Sequence, residues 1–174
     1  MRDEPITILT PTFDRKKFLS LMICNVEEQE NYDKRSITWL ICDSYGKDGD
    51  IAEPLLTPDE YKELQERLSP ITVNYHYLKK KMTIGEKRNW LSKNATTKYL
   101  INMDSDDVYV PEYLEYSVGL LTNHKRECCG SPQMLFMFPL DNYKTTFIAC
   151  SHLRQIHEAT MCYTKKHFKR MGGF

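Results

Sequence analysis

The chain lacks any run of the roughly 20 apolar residues that a membrane-spanning helix requires. It also lacks an excess of either charge: Lys+Arg and Asp+Glu stand at 24 each. No broad basic field therefore points to nucleic acid or to an anionic membrane surface. The opening residues, MRDEPITILTP, carry acids where a secretory leader carries basic residues ahead of a long apolar run. Glycine is scarce, at 7, and none falls in TPTFDRKK, which argues against a glycine-rich phosphate-cradling loop after the first apolar segment. None of the 6 cysteines (Cys24, Cys42, Cys128, Cys129, Cys150 and Cys162) forms a CxxC pair, and most sit among apolar neighbours, as in WLICD and FIAC. The expectation is buried, reduced thiols in an intracellular, cytoplasmic protein, with a zinc site as the weaker alternative.

What the chain does have is a length of 174 residues and a hydrophobic share of 41%, enough for one domain with a substantial core. Strand and helix patterns alternate. Residues 6–11 read as a strand closed by proline, after which Asp14 is placed to cap a helix carrying Phe18, Leu21, Met22 and Val26. Residues 36–43 are apolar almost throughout, as in a strand covered on both faces. A helix over 58–68, a strand over 71–77 and a helix opened by the capping box TIGE follow. YLINMD is the next strand, and Pro111 starts a helix to about residue 121. Beyond Gly130, QMLFMFPL and TTFIAC read as a hairpin or antiparallel addition, and KKHFKRM as a short last helix. The predicted fold is α/β: a mostly parallel sheet flanked by helices, with antiparallel additions toward the C-terminus.

Ligands of open parallel sheets bind outside the carboxyl ends of the strands. Three predicted strands end in polar residues: Thr10-Pro11-Thr12 with Asp14 and Arg15, then Asp43-Ser44, then Asp104-Ser105-Asp106. Two carboxylates two positions apart can turn toward one point and hold Mn²⁺ or Mg²⁺, whose shell is completed by water and phosphate oxygens. The bland alternative is that Asp106 or Asp107 caps the helix begun near Pro111. Asp43 either accepts from a nucleobase or ribose hydroxyl or serves the turn in DSYGKDG. Lys87 and Arg88, in the first turns of the TIGE helix, can neutralise a diphosphate, although helix-surface cations are usually only solvated. His152 and His157 are candidate metal ligands or bases, or simply structural.

In their order and spacing these segments resemble the family 2 glycosyltransferases of the GT-A fold, over nearly the whole chain. ITILTPTFDR resembles the family's opening IPTYNR, ICDSYGKD its VDDGSTD segment, and GEKRNWLSKNATTKYLINMDSDD its GxxxARNxGxxxAxGxYIxFxDxDD run. The resemblance implies transfer of a sugar, with inversion, from a nucleoside diphosphate donor (UDP, GDP or dTDP type) to a glycan or other hydroxyl acceptor. It implies that Thr10, Pro11, Thr12 and Asp43 line the nucleotide pocket, that Arg88 lies near the nucleotide, and that Asp104 and Asp106 form the metal-binding DxD motif. Residues 1–110 would bind the donor and 111–174 would face the acceptor.

Two departures from the family pattern matter. The general base of this family usually follows a GGF-like segment, here Gly172-Gly173-Phe174. The base is therefore expected beyond Phe174, in a longer protein, or elsewhere in the chain, where Glu158 and Asp107 are weak candidates. Ser44-Tyr45-Gly46 replaces the usual acid and glycine, which blurs the nucleobase preference. The competing readings are a binding module that keeps the donor pocket without the base, and a sugar nucleotidyltransferase, which the glycine-free TPTFDRKK disfavours.

Overall fold

The computed structural model describes residues 1–45, 53–138, 140–149 and 155–174. Strands β1 (Ile6–Thr12), β2 (Ile37–Tyr45), β3 (Thr72–Lys81) and β4 (Tyr99–Asn102) are the expected parallel set. Helices α1 (Leu19–Glu27), α2 (Pro58–Leu68) and α3 (Ile84–Asn94) alternate with them, and α4 (Tyr113–Asn123) follows β4. Two short strands, β5 (Cys128–Cys129) and β8 (Cys162–Thr164), extend the sheet to six strands in the order β3-β2-β1-β4-β8-β5, with β8 antiparallel to both neighbours. β6 (Gln133–Phe138) and β7 (Lys144–Ala149) pair only with each other, as a hairpin, and α5 (Lys165–Met171) closes the described chain.

Side-chain alternation along β1 divides the core. Ile6 and Ile8 face one side, where Trp39, Ile41, Val73 and Ile101 meet Met22 and Val26 of α1, Leu64 and Leu68 of α2, and Leu114 and Val118 of α4. Leu9 faces the other, with Leu40, Leu100 and Tyr163 against Leu91 of α3 and Phe168 of α5. Both faces are covered, which is why β1 and β2 read as nearly continuous apolar runs. Among the described residues no helix is long and apolar enough to cross a membrane.

Several local expectations are corrected. Asp14 has φ +50°, whereas a capping residue needs an extended backbone; the helical turn begins at Lys16 with no side-chain cap. Pro111 stands in a turn ahead of α4, not in its first turn. Neither Asp106 nor Asp107 caps α4, because Gln29 reaches across from the end of α1 and its Oε1 accepts the Leu114 amide at 2.9 Å. Cys24 is exposed and Cys128 and Cys129 are half-buried, so among the described residues only Cys42 and Cys162 are the enclosed thiols expected. β5 and β8, at 2 and 3 residues, are too short to leave a periodic signal. Cys150, His152 and the loop from Gly46 onward lie outside the described residues.

Candidate functional site

The parallel register decides which strand ends meet. Thr12 lies beside Asp43 and Leu9 beside Asn102, so Asp104, two residues past β4, comes level with the end of β1. A cavity of about 370 Å³ opens there, lined by Pro11, Thr12, Phe13, Arg15, Met82, Thr83, Ile84, Lys87, Asp104, Ser105 and Asp106. Six residues singled out from the sequence are thus brought together from three separate segments. Phe13, Met82, Thr83, Ile84 and Ser105 were not anticipated as lining, although Thr83 was legible as a helix cap. It closes a capping box with Glu86, which aims the first turn of α3 at the cavity.

Lys87 and Arg88 are no solvated helix face. Both are buried, at 4% and 3% exposure. Lys87 Nζ donates to the Thr12 carbonyl at 2.6 Å, and burial pushes its ammonium down from the usual lysine range, against the opposing pull of Cys42 and Asp43. Arg88 Nη2 donates to Asp104 Oδ2 at 2.8 Å, and its Nη1 lies 3.5 Å from Glu158 Oε1. Arg15 Nε sits 3.3 Å from Asp106 Oδ2 at the mouth, where both side chains are exposed.

Burial raises the Asp104 carboxyl above its ordinary range even though Arg88 pulls the other way. Its second oxygen, Oδ1, is buried without a hydrogen-bond partner, and so is Thr12 Oγ1. Asp107 is raised as well, by burial first and then by the charges of Asp104 and Asp106. Buried polar atoms are normally satisfied, so two orphaned oxygens in one cavity call for a ligand. Hard divalent cations favour such carboxylate oxygens. Among the described residues no three His, Cys, Asp or Glu side chains converge as a closed protein cage. The donor set therefore fits a cation held by Asp104 and Asp106 that shares its remaining positions with substrate and water.

The other predicted residues are placed differently. The Thr10 hydroxyl donates to the Met103 carbonyl at 2.8 Å and accepts from Trp39 Nε1 at 2.9 Å, so it ties β1 to β4 and does not face the cavity. Asp14 is exposed on its left-handed turn. Asp43 is buried behind the cavity; its Oδ2 accepts from the Leu55 amide and the Tyr75 hydroxyl, both at 2.9 Å. Burial raises its pKa, and these bonds only partly offset that. His157 Nδ1 accepts the Ala159 amide at 3.3 Å. A neutral ring in that arrangement carries its proton on Nε2 and has no free lone pair for a metal. Glu158 is largely exposed and meets the site through its ion pair with Arg88.

Sequence reasoning missed the residues that hold the acidic loop. Asn25 of α1 donates to the Asp107 carbonyl at 2.8 Å and accepts the Tyr109 amide at 3.0 Å. The Tyr109 hydroxyl accepts the Asp104 amide at 2.7 Å and donates to the Ala159 carbonyl at 2.9 Å. The one available signal was two amides four residues apart, Asn25 within α1 and Gln29 just past its end, amid otherwise apolar positions.

Comparison with known proteins completes the picture. The mannosyltransferase PcManGT from Pyrobaculum calidifontis, solved in complex with GDP-Man and Mn²⁺, superposes with a TM-score of 0.72 at 17% identity, over 100% of this chain and 48% of that one. TarS of S. aureus in complex with UDP-GlcNAc gives 0.70 at 14%, over 97% and 47%; its complex with UDP gives 0.66 at 16%, over 97% and 49%. The chain thus spans about half the length of these structures, and at such identities the likeness is one of fold. No curated protein sequence matches it. The model of the family described as glycosyl transferase family 2 matches residues 7–170, nearly the full length, and the chain belongs to that family.

Proposed function

We propose that the cavity is the donor site of a metal-dependent, inverting glycosyltransferase that moves a sugar from a nucleoside diphosphate onto a hydroxyl of a glycan or other acceptor. The observation that carries this reading is the pair of partnerless buried oxygens, Asp104 Oδ1 and Thr12 Oγ1, in a cavity that also holds Lys87 and Arg15. The solved complexes of similar fold are bound to GDP-Man with Mn²⁺ and to UDP-GlcNAc, which favours a nucleotide-sugar ligand over other phosphates.

In this reading the chain forms one domain, with residues 1–110 on the donor side and 111–174 on the acceptor side. Asp104 and Asp106 would hold Mn²⁺ or Mg²⁺, which when bound would supply Lewis-acid neutralisation of charge gathering on the diphosphate leaving group. Lys87, already buried and aimed at the end of β1, adds a fixed positive charge without reorganising during the reaction. Arg15 exchanges its exposed contact with Asp106 for a phosphate. Arg88 holds Asp104 in orientation from behind. Asp43, at the carboxyl end of β2, serves the nucleobase or ribose side of the pocket. In-line displacement at the anomeric carbon requires a carboxylate to take the acceptor proton. Glu158 and Asp107 are the acids within reach of this loop, and neither is held in a position that marks it as the base. A binding module without a base is the second reading, favoured by that same lack of a positioned base among the described residues.

Thermal unfolding in the presence of UDP-, GDP- and dTDP-sugars, with and without Mn²⁺, tests the site. At least one donor stabilises the protein in a metal-dependent way, by about 2.7 kcal/mol at a hundredfold excess over Kd. Asp104→Ala abolishes that gain. Silence of every donor with the wild-type chain sinks the donor site, and donor hydrolysis or transfer separates enzyme from binding module.

A further inference from the structure

Cys129 and Cys162 are direct register partners across the antiparallel pair of β5 and β8. The Thr164 amide donates to the Glu127 carbonyl at 2.8 Å, so by alternation the Cys129–Cys162 pair is also of the hydrogen-bonded kind. Such pairs hold their Cα atoms about 5.5 Å apart, inside the Cα range of disulfides, but their Cβ atoms stand wider than a relaxed disulfide allows, so a bond here is strained and easily reduced. Both side chains point to the same core face. Cys128, paired with Tyr163, points to the opposite one. The interaction with Cys162 and burial both push the Cys129 thiol above its ordinary range.

The surroundings separate the two thiols by role. Cys129 is only half-buried, which makes it the more accessible of the two, and its sulfur lies 3.6 Å from the Ser117 carbonyl. Cys162 is fully enclosed and contacts the Tyr113 hydroxyl at 3.3 Å. That hydroxyl also donates to the Asn102 carbonyl at 2.9 Å, two residues before Asp104. The pair therefore joins β5, at the edge of the sheet, to β8, which lies between β5 and the strand β4 that leads into the acidic loop.

We propose that Cys129 and Cys162 are a reversible disulfide site, oxidised by a hydroperoxide, that locks β5 to β8. Once the Cys129 thiol has given up its proton, which its surroundings disfavour and which makes the step slow, its sulfur attacks one peroxide oxygen, the O–O bond breaks, and Cys129 becomes a sulfenic acid while the peroxide is reduced to water or an alcohol. The Cys162 thiolate then attacks that sulfur and hydroxide leaves as water after taking up a proton. Two thiols lose two electrons and two protons in all, matching the two-electron reduction of the peroxide.

The test uses the reduced, desalted full chain exposed to hydrogen peroxide, with alkylation of remaining thiols and peptide mapping without reductant. The expected result is a cross-linked peptide joining Cys129 to Cys162, present in the wild type and in Cys128→Ser, absent in Cys129→Ser, and reversed by dithiothreitol. The melting temperature of the oxidised wild type rises, and that of oxidised Cys129→Ser does not. Because Cys129 is half-buried, its serine variant keeps the fold, and a circular dichroism spectrum matching wild type establishes this. Cross-links only to other cysteines, or Cys129 over-oxidised with Cys162 left alkylatable on unfolding, overturns the proposal.

Discussion

Tyr109→Phe removes one oxygen and nothing else, which makes it a sharp probe of how the acidic loop is held. The ring keeps its packing against Tyr113, with centroids 4.8 Å apart. What disappears is a hydroxyl that accepts the Asp104 amide and donates to the Ala159 carbonyl. Both backbone groups lose their partner in a region where Tyr109 itself is only 8% exposed. An unsatisfied buried polar group costs about 1–3 kcal/mol, so the pair costs about 2–4 kcal/mol after some relief by entering water. For a domain of this size each kcal/mol moves Tm by about 2–4 °C, and the variant melts about 5–15 °C below wild type. Tyr116→Phe, with that tyrosine 69% exposed, is the control and leaves Tm within error. Differential scanning calorimetry reads both. The same substitution releases the Asp104 backbone, so the Mn²⁺-dependent stabilisation by a donor sugar falls as well. If Tyr109→Phe unfolds within about 0.5 kcal/mol of wild type, the hydroxyl bridge does not secure the loop and the reasoning fails.

Other expectations follow from the same geometry. Lys87→Met leaves the Thr12 carbonyl without its buried donor and deletes a cation from the cavity; donor affinity by titration calorimetry drops tenfold or more, about 1.4 kcal/mol, and an unchanged Kd removes Lys87 from the site. Asp43→Asn keeps an oxygen for the Leu55 amide and the Tyr75 hydroxyl but discards a buried charge. The folded-state pKa of Asp43 lies above the unfolded value, so its penalty is full at neutral pH and is relieved as pH falls through the folded pKa. The variant therefore gains stability over wild type at pH 7 and loses that advantage toward about pH 4, near the unfolded carboxylate pKa; a pH-independent difference rules out this cause. Gly173→Ala forces a side chain onto a backbone at φ +110°, with its Cβ 2.6 Å from Asn89 Oδ1, and urea denaturation should report a loss of about 1 kcal/mol or more.

The parallel half of the fold was legible because each of its elements is long enough to show a period. β1 and β2 read as apolar runs, α3 announces itself through the capping box at Thr83 that the structure realises, and α2 through its proline-led start, where the structure adds a second box at Thr57. The gathering of the strand-end residues was legible for a different reason: the ends of parallel strands have only one edge on which to meet. β5 and β8 escaped because two or three residues carry no period, and because β8 pairs with β4 over sixty positions away in sequence and β5 pairs only with β8. The burial of Lys87 and Arg88 escaped too. A basic pair on a helix looks solvated until the helix is packed with its first turn under the ends of β1 and β4. Asp14 misled because a capping residue is recognised by type, whereas its backbone had already been claimed by a left-handed turn.

Three carboxylates in four residues pose an electrostatic problem that the protein solves only in part. Asp106 is exposed enough for water to screen it, and Arg15 stands beside it. Asp104 has one oxygen on Arg88 and one on nothing, and burial still outweighs the arginine. Asp107 is raised by burial and by its two neighbours in turn. Neutralising this loop with a second buried arginine would have been the simpler route to stability, since a buried charge without a partner is costly. The loop is instead braced through its backbone, by Asn25, Gln29 and Tyr109, so its carboxylates stay in place without being satisfied. Bracing by neutral amides and a phenol holds the acids close while adding no charge of its own. Such an arrangement keeps free energy available for a cation and its anionic ligand, which relieve the repulsion only when both are bound. Metal without nucleotide is then expected to stabilise the protein less than the two together, by more than the sum of their separate effects. That coupling is measurable in the same melting experiment, and strict additivity of metal and nucleotide would remove the electrostatic reason for the loop's composition.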